Sequence, residues 1–207
     1  MPKSQRIEYP GAFYHVINRG RNKENIFHDK SDFQLFLEII EKSHLKFGCV
    51  VHAYCLMDNH YHLLLETPLG NLSQVMHNIG SLYVQKYNRL KGCDGSLFKS
   101  RYKAILVDKD SYLLDLSRYI HRNPLSITKK LEDYPWSSYR SYLGLSKTPS
   151  WLDKQQTLKI LGAEKELMRF VDFVTSDRPQ DKQLYEGRKV LPSILGSKCF
   201  KNKIFKK

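Results

Sequence analysis

Paired cysteines, long apolar runs, internal repeats and acidic charge are scarce or absent in this chain, and each shortage closes off a class of function. The four cysteines, Cys49, Cys55, Cys93 and Cys199, contain no Cys-x-x-Cys pair, which argues against a zinc knuckle or a disulfide framework and for reduced packing residues. No apolar stretch approaches the ~20 residues needed to span a bilayer, and the opening Met-Pro-Lys-Ser-Gln-Arg lacks the apolar core of a secretion signal. No membrane partner is expected, and the cytoplasm, in association with the nucleoid, is the expected location. Acidic residues number 21 against 34 Lys and Arg, leaving a formal net charge of +13. A phosphate backbone is the commonest partner for such an excess, although a merely basic surface would account for the charge alone equally well.

What is present is a globular chain. Hydrophobic residues make up 41% of its 207 positions, enough for one core with an appendage and too many for a disordered segment. Phe13 to Arg19 alternates and favours β structure, ending at Gly20. Ser31 is expected to open a helix, with Gln34 as capping-box partner and Phe33, Phe36, Leu37 and Ile40 on one face, stopping at Gly48. Cys49 to Met57 and His60 to Glu66 are β-favouring runs separated by Asp58-Asn59, the pattern of a hairpin.

Leu72, Val75, Met76, Ile79 and Tyr83 recur at helical spacing up to Gly92. Phe98 to Val107 reads as a fourth strand, followed by a helix that ends near Asn123, before Pro124. The order β-α-β-β-α-β followed by a helix predicts an α+β, ferredoxin-like (RRM-like) antiparallel sheet, with two helices on one face and the other face left available. The expected divisions are a catalytic domain over 1–145, a helical C-terminal subdomain over 146–186 and a basic tail over 187–207. Two further helices fall within Trp151 to Thr175, and the tail, with basic residues and no acidic one, suits a loosely ordered phosphate-binding segment.

Two stretches carry chemistry. Residues two apart in a strand share a face, so His60 and His62 present two imidazoles side by side while Tyr61 points away. A His-x-His pair alone is weak, being more often structural than metal-binding. In Arg118-Tyr119-Ile120-His121-Arg122-Asn123-Pro124, Tyr119 and Asn123 lie four apart and so on one helical face. Taken alone, that run reads better as a packing tyrosine followed by an Asn-Pro helix stop.

Together, Met57-Asp58-Asn59-His60-Tyr61-His62-Leu63-Leu64-Leu65, Arg101-Tyr102-Lys103-Ala104 and Tyr119-Ile120-His121-Arg122-Asn123-Pro124 resemble the single-tyrosine (Y1) transposases of the His-hydrophobe-His superfamily. The chain is IS200-like and more similar to the relatives associated with repetitive extragenic palindromes than to the shorter insertion-sequence enzymes. The similarity runs from about Gly11 to about Gly144.

The resemblance implies that His60 and His62 are the metal-binding histidines, Tyr119 the nucleophile and Asn123 the third ligand, with His121 as the substitute. The position between the histidines is usually aliphatic in the family, and Tyr61 departs from that pattern. The implied cofactor is a divalent metal, Mg2+ or Mn2+. The implied activity is cleavage and rejoining of single-stranded DNA through a 5′-phosphotyrosine at hairpin or palindromic elements, by a monomer or homodimer serving transposition or the processing of such repeats. Expected DNA contacts are Arg19, Arg21, Lys99, Arg101 and Lys103, with Tyr102 or Trp136 for base stacking. The competing readings are a non-catalytic single-strand-binding module on the same RRM-like sheet, and a descendant transposase turned to regulation or repair. A zinc hydrolase is disfavoured, because no acidic residue or further histidine stands at a metalloprotease spacing.

Overall fold

The alternation read in the sequence builds a sheet whose two faces have separate cores. The structure is a computed structural model and describes residues 6–163, 167–176, 184 and 192–206. Strands β1 (Ala12–Arg19), β2 (Val50–Met57), β3 (His60–Thr67) and β4 (Lys103–Val107) pair antiparallel in the order β2-β3-β1-β4, and β5 (Ile194–Leu195) adds to β4 in parallel. The first four strands have the expected ferredoxin-like order; β5 was not foreseen.

Tyr14 and Val16 of β1 and Tyr61, Leu63 and Leu65 of β3 face the core beneath α1 (Lys30–Phe47) and α2 (Leu72–Lys91). Burying each such side chain contributes roughly 1.5–3 kcal/mol. The intervening residues, including Phe13 and Leu64, face the other side, where Leu113, Leu116 and Ile120 of α3 (Lys109–Arg122) pack on them. The face expected to stay open is therefore covered in part by α3, because the apolar spacing of that helix needs a sheet to bury against.

The outer side of α3 carries a third core. Leu131, Tyr139, Tyr142, Leu158, Phe170 and Phe173 cluster there, drawn from α4 (Tyr139–Tyr142), α5 (Gln155–Leu161), α6 (Leu167–Thr175) and the preceding loop. Two arginines fix α3 against α6. Arg118 is 1% exposed and donates to Phe173 O (2.5 Å) and Ser176 O, and Arg122 donates to Val174 O (2.9 Å). They supply donors to carbonyls at the α6 C-terminus, where a helix lacks its own. Farther along the chain, Val51 N donates to Trp151 O and Asp153 N to Val51 O (3.0 and 2.9 Å).

Three boundaries differ from expectation. The N-cap of α1 is Asp29, not Ser31: its carboxylate accepts from the backbone N–H of Ser31 and Asp32, and a carboxylate is the stronger acceptor at that position. The fourth strand begins at Lys103, because Phe98 makes only a single bridge to Gly20 before the chain leaves the sheet. The tail is not loose over its described part, 192–206. It forms β5 and α7 (Lys198–Phe205), held by Ser197, whose N–H and hydroxyl both donate to Asp108 (3.1 and 2.8 Å). Residues 187–191 and 207 lie outside the described residues. Among the described residues no helix is long and apolar enough to cross a membrane.

Candidate active site

The end of β1 and the start of β3 run side by side, with Arg19 opposite His60 and Ile17 opposite His62. Gly20 follows β1, and only glycine fits there, since a side chain would collide with Glu24 O, 2.0 Å from the Cβ position. The hairpin turn is tied to the loop between β1 and α1 by Asn59, which donates to Lys23 O (3.1 Å), and by the N–H groups of Ile26 and Phe27, which donate to Asp58 O (2.7 and 2.9 Å). These anchors hold both histidines on the face toward α3.

The rings of His60 and His62 lie edge to face at 5.0 Å, and the ring of Tyr119 meets His62 edge-on at 5.7 Å. Asn123, one turn beyond Tyr119, donates its amide to Tyr119 O (2.8 Å), and its side chain comes close enough to the His60 ring to raise that ring's basicity. The four residues singled out in the sequence therefore come together.

A fifth residue joins them that the sequence reading missed. His15, wholly buried on β1, sets its Nε2 2.9 Å from Nδ1 of His62, with the rings stacked at 5.1 Å, and its ring also meets Tyr119 at 5.9 Å. The available signal was its place in the alternation Phe13-His15-Ile17, but only the β1–β3 register shows that this face meets His62.

Burial governs the protonation of the site. Desolvation lowers His62 well below the ordinary imidazole value, helped by His15 and His60, and takes His15 to about 3. His60 is lowered first by burial and then by Arg19, against an opposing contribution from Asn123. All three are neutral at pH 7, the form in which imidazole binds metals. Burial raises Tyr119, so its phenol is protonated at rest.

The donors fit a small divalent ion. Nδ1 of His60 lies 2.7 Å from Asn59 Oδ1 and Nδ1 of His62 is engaged by His15, so Nε2 is the atom of each ring that could take a cation, on His60 in exchange for its contact with Asn123. Among the described residues no group of three or more His, Cys, Asp or Glu side chains could hold a metal. Two imidazoles with the Asn123 carboxamide beside them could serve a hard cation that accepts imidazole and oxygen and retains waters.

Other expectations fare differently. His121 is not a substitute ligand: it is fully buried on the outer side of α3, 2.8 Å from Ser138 Oγ and against Tyr142. Tyr61 points to the opposite face, as the strand alternation implied, and is buried against Phe36. Arg19, Arg21, Lys99 and Lys103 are exposed, and Lys103 lies opposite Ile17 on the catalytic face. Arg101 and Tyr102 instead line a groove on the α2 side, where Tyr102 receives the Arg6 guanidinium on its ring at 4.0 Å. Trp136 is stacked flat on Phe33 at 4.6 Å.

This geometry agrees with the comparisons to known proteins. The family model described as "Transposase IS200 like" matches residues 9–123, more than half of the chain and all four of the singled-out residues. The chain belongs to the IS200-like transposase family. This transposase-family chain shares its fold with the REP-associated tyrosine transposase bound to a REP hairpin, at 15% identity and a TM-score of 0.58, over 74% of this chain and 92% of that one. A Deinococcus radiodurans protein ascribed to the transposases matches at 18% identity and a TM-score of 0.40, over 59% and 97% of the two chains. The tRNA(His) guanylyltransferase of Saccharomyces cerevisiae matches at 9% identity and a TM-score of 0.39, over 92% and 83%. No curated protein matches the sequence. Family membership makes the chain a transposase-like DNA-processing protein.

Proposed function

We propose that this transposase-family protein cleaves and rejoins single-stranded DNA at hairpin-bearing sites, with Tyr119 as nucleophile and His60, His62 and Asn123 holding a divalent metal. The observation that carries the reading is the meeting of Tyr119 with His62 and of Asn123 with His60 on one face of the sheet. The REP hairpin bound to the structural neighbour supports hairpin DNA as the substrate class.

A bound Mg2+ or Mn2+ would neutralise the phosphate charge that otherwise repels the phenolate. Tyr119 gives up its phenolic proton and its oxygen attacks phosphorus. The P–O3′ bond breaks, and the 3′ oxygen leaves as a hydroxyl after taking up a proton. The 5′ side stays on Tyr119 as a phosphotyrosine, and a 3′ hydroxyl attacking that ester reverses the step and frees the phenol, with no nucleotide consumed. His15 holds the His62 ring in place, and Arg19 and Lys103 flank the strand's phosphates on the same face.

A passive RRM-like binder is disfavoured, because α3 covers sheet surface that such a module needs for bases. The deciding experiment incubates labelled hairpin oligonucleotides carrying unpaired flanks with the protein and Mn2+ or Mg2+. The parent should yield a denaturation-resistant protein–DNA band, and Tyr119→Phe should yield none while keeping its hairpin affinity. Covalent attachment that survives in Tyr119→Phe would overturn the assignment.

A further inference from the structure

Helix α3 carries two pairs of residues, each pair four positions apart, on neighbouring stripes. Tyr119 and Asn123 turn toward the catalytic histidines, and Arg118 and Arg122, each one residue earlier, turn toward α6. Arg118 donates to Phe173 O (2.5 Å) and Ser176 O, and Arg122 donates to Val174 O and Thr175 O (2.9 and 3.1 Å). The two guanidiniums thus reach the carbonyls of the last turn of α6 and of the residue after it, where a helix lacks donors and carries its negative pole.

The two sides of α3 hold it differently. Toward the sheet its contacts are apolar, with Leu113, Leu116 and Ile120 packed on Phe13, Ala53 and Leu64. Such contact is non-directional and tolerates a small turn or slide of the helix. Hydrogen bonds to carbonyls are directional and weaken steeply when bent. Arg118 is 1% exposed, with its guanidinium 6.0 Å over the Phe173 ring, so a shift that broke its bonds would strand a buried cation.

The support for α3 is itself seated on the sheet. Phe170 of α6 stacks on Tyr142 at 4.7 Å, and the Tyr142 hydroxyl donates to His52 O beside β2 residue Ala53 (2.7 Å). A closed path therefore runs from β2 through Tyr142 and α6 to the arginines of α3, and from α3 through Tyr119 back to His62, whose ring it meets at 5.7 Å. A misplacement of ~1 Å at a reacting group costs on the order of 100-fold in rate.

We infer that Arg118 and Arg122 are positioning residues for Tyr119, and that α6 is the brace against which they hold it over His60 and His62. The inference rests on the reading of Tyr119 as the nucleophile. It gives the helical C-terminal region a part in the chemistry that needs no contact with DNA or metal.

The test uses Arg122, which is half-buried, so that its removal spares the core. Arg122→Met keeps the length and loses the donors, and Arg122→Lys keeps a charged donor. Covalent attachment to a hairpin with unpaired flanks is timed in a single turnover at saturating DNA and Mn2+. Arg122→Met should slow it at least about tenfold with unchanged hairpin affinity, and Arg122→Lys should recover most of the rate. Fluorine NMR of 3-fluorotyrosine at position 119 reads placement without any reaction. One sharp resonance is expected in the parent, a broadened or displaced one in Arg122→Met and a restored one in Arg122→Lys. Arg122→Gln, with an uncharged donor, should fall between and replaces Arg122→Met if that variant does not fold. A parent that forms no adduct counts against the catalytic reading alone, and the fluorine resonance then decides the positioning. With an active parent, a parental rate or a parental resonance in Arg122→Met overturns the inference. So does a loss of hairpin affinity with a flatter salt dependence, which would make Arg122 a phosphate contact.

Discussion

Nε2 of His15 lies 2.9 Å from Nδ1 of His62, with both rings buried, and one imidazole therefore sets the tautomer of the other. For His62 to offer the Nε2 lone pair to a cation, its proton must sit on Nδ1 and be donated to His15. Such supporting contacts typically change metal affinity by 10- to 100-fold when removed.

His15→Phe keeps an aromatic ring beside Tyr119 and removes the acceptor. It should raise the Mn2+ concentration for half-maximal covalent attachment by at least tenfold, and saturating Mn2+ should restore much of the activity. An unchanged half-maximal concentration would show that His15 only packs. The circular dichroism spectrum identifies a variant that has lost its fold.

How much of this was legible in the sequence follows from the range of each signal. The His60–His62 pairing and the Tyr119–Asn123 pairing are local, fixed by the strand period of two and the helical spacing of four, and both could be read directly. That they meet depends on α3 crossing the sheet, which the family resemblance implied and periodicity alone could not. His15 was invisible, because its role arises from a register between strands 47 residues apart. Arg118 and Arg122 were part of a recognisable run, yet their hold on the α6 carbonyls depends on a helix some 50 residues downstream. Asp29 displaced Ser31 as the cap because two capping residues only two positions apart could each begin α1, a contest that only geometry decides. The charged tail read as loose, since nothing local disclosed that Asp108 would seat Ser197 and start α7.

Acid stability should follow the buried histidines. Burial depresses His15 and His121 to about 3 and His62 well below its ordinary value. The unfolded chain takes up these protons near pH 6.5, whereas the folded chain refuses them until far lower pH. Each such histidine thus contributes stability that is complete above its unfolded value and is lost as pH falls toward the folded one. His121 is suited to the test because it lies away from the catalytic face. His121→Leu leaves Ser138 Oγ its contacts to Tyr54 N and O (2.9 and 3.2 Å). Urea unfolding in EDTA between pH 7.5 and 5 should show parental stability declining, with a slope shallower in His121→Leu by up to about 1.4 kcal/mol per pH unit. Parallel slopes would mean that His121 protonates equally well in the folded state.

The basic rim of the catalytic face makes a prediction about salt. Arg19 stands opposite His60 and depresses its basicity, and Lys103 lies opposite Ile17 on the same face. If each neutralises one phosphate of a bound single strand, each releases counterions on binding. The logarithm of affinity then falls against the logarithm of salt concentration with a slope of ~0.7 per phosphate. In a Tyr119→Phe background, which prevents turnover, Arg19→Ala and Lys103→Ala should each flatten that slope by ~0.7. Lys42→Ala, exposed on α1 beneath the opposite face, should leave it unchanged. Because contacts to phosphate carry no sequence information, the losses should be equal for strands of different sequence. A loss confined to one sequence would mean that Arg19 or Lys103 reads a base, and an unaltered slope would remove that residue from the DNA path.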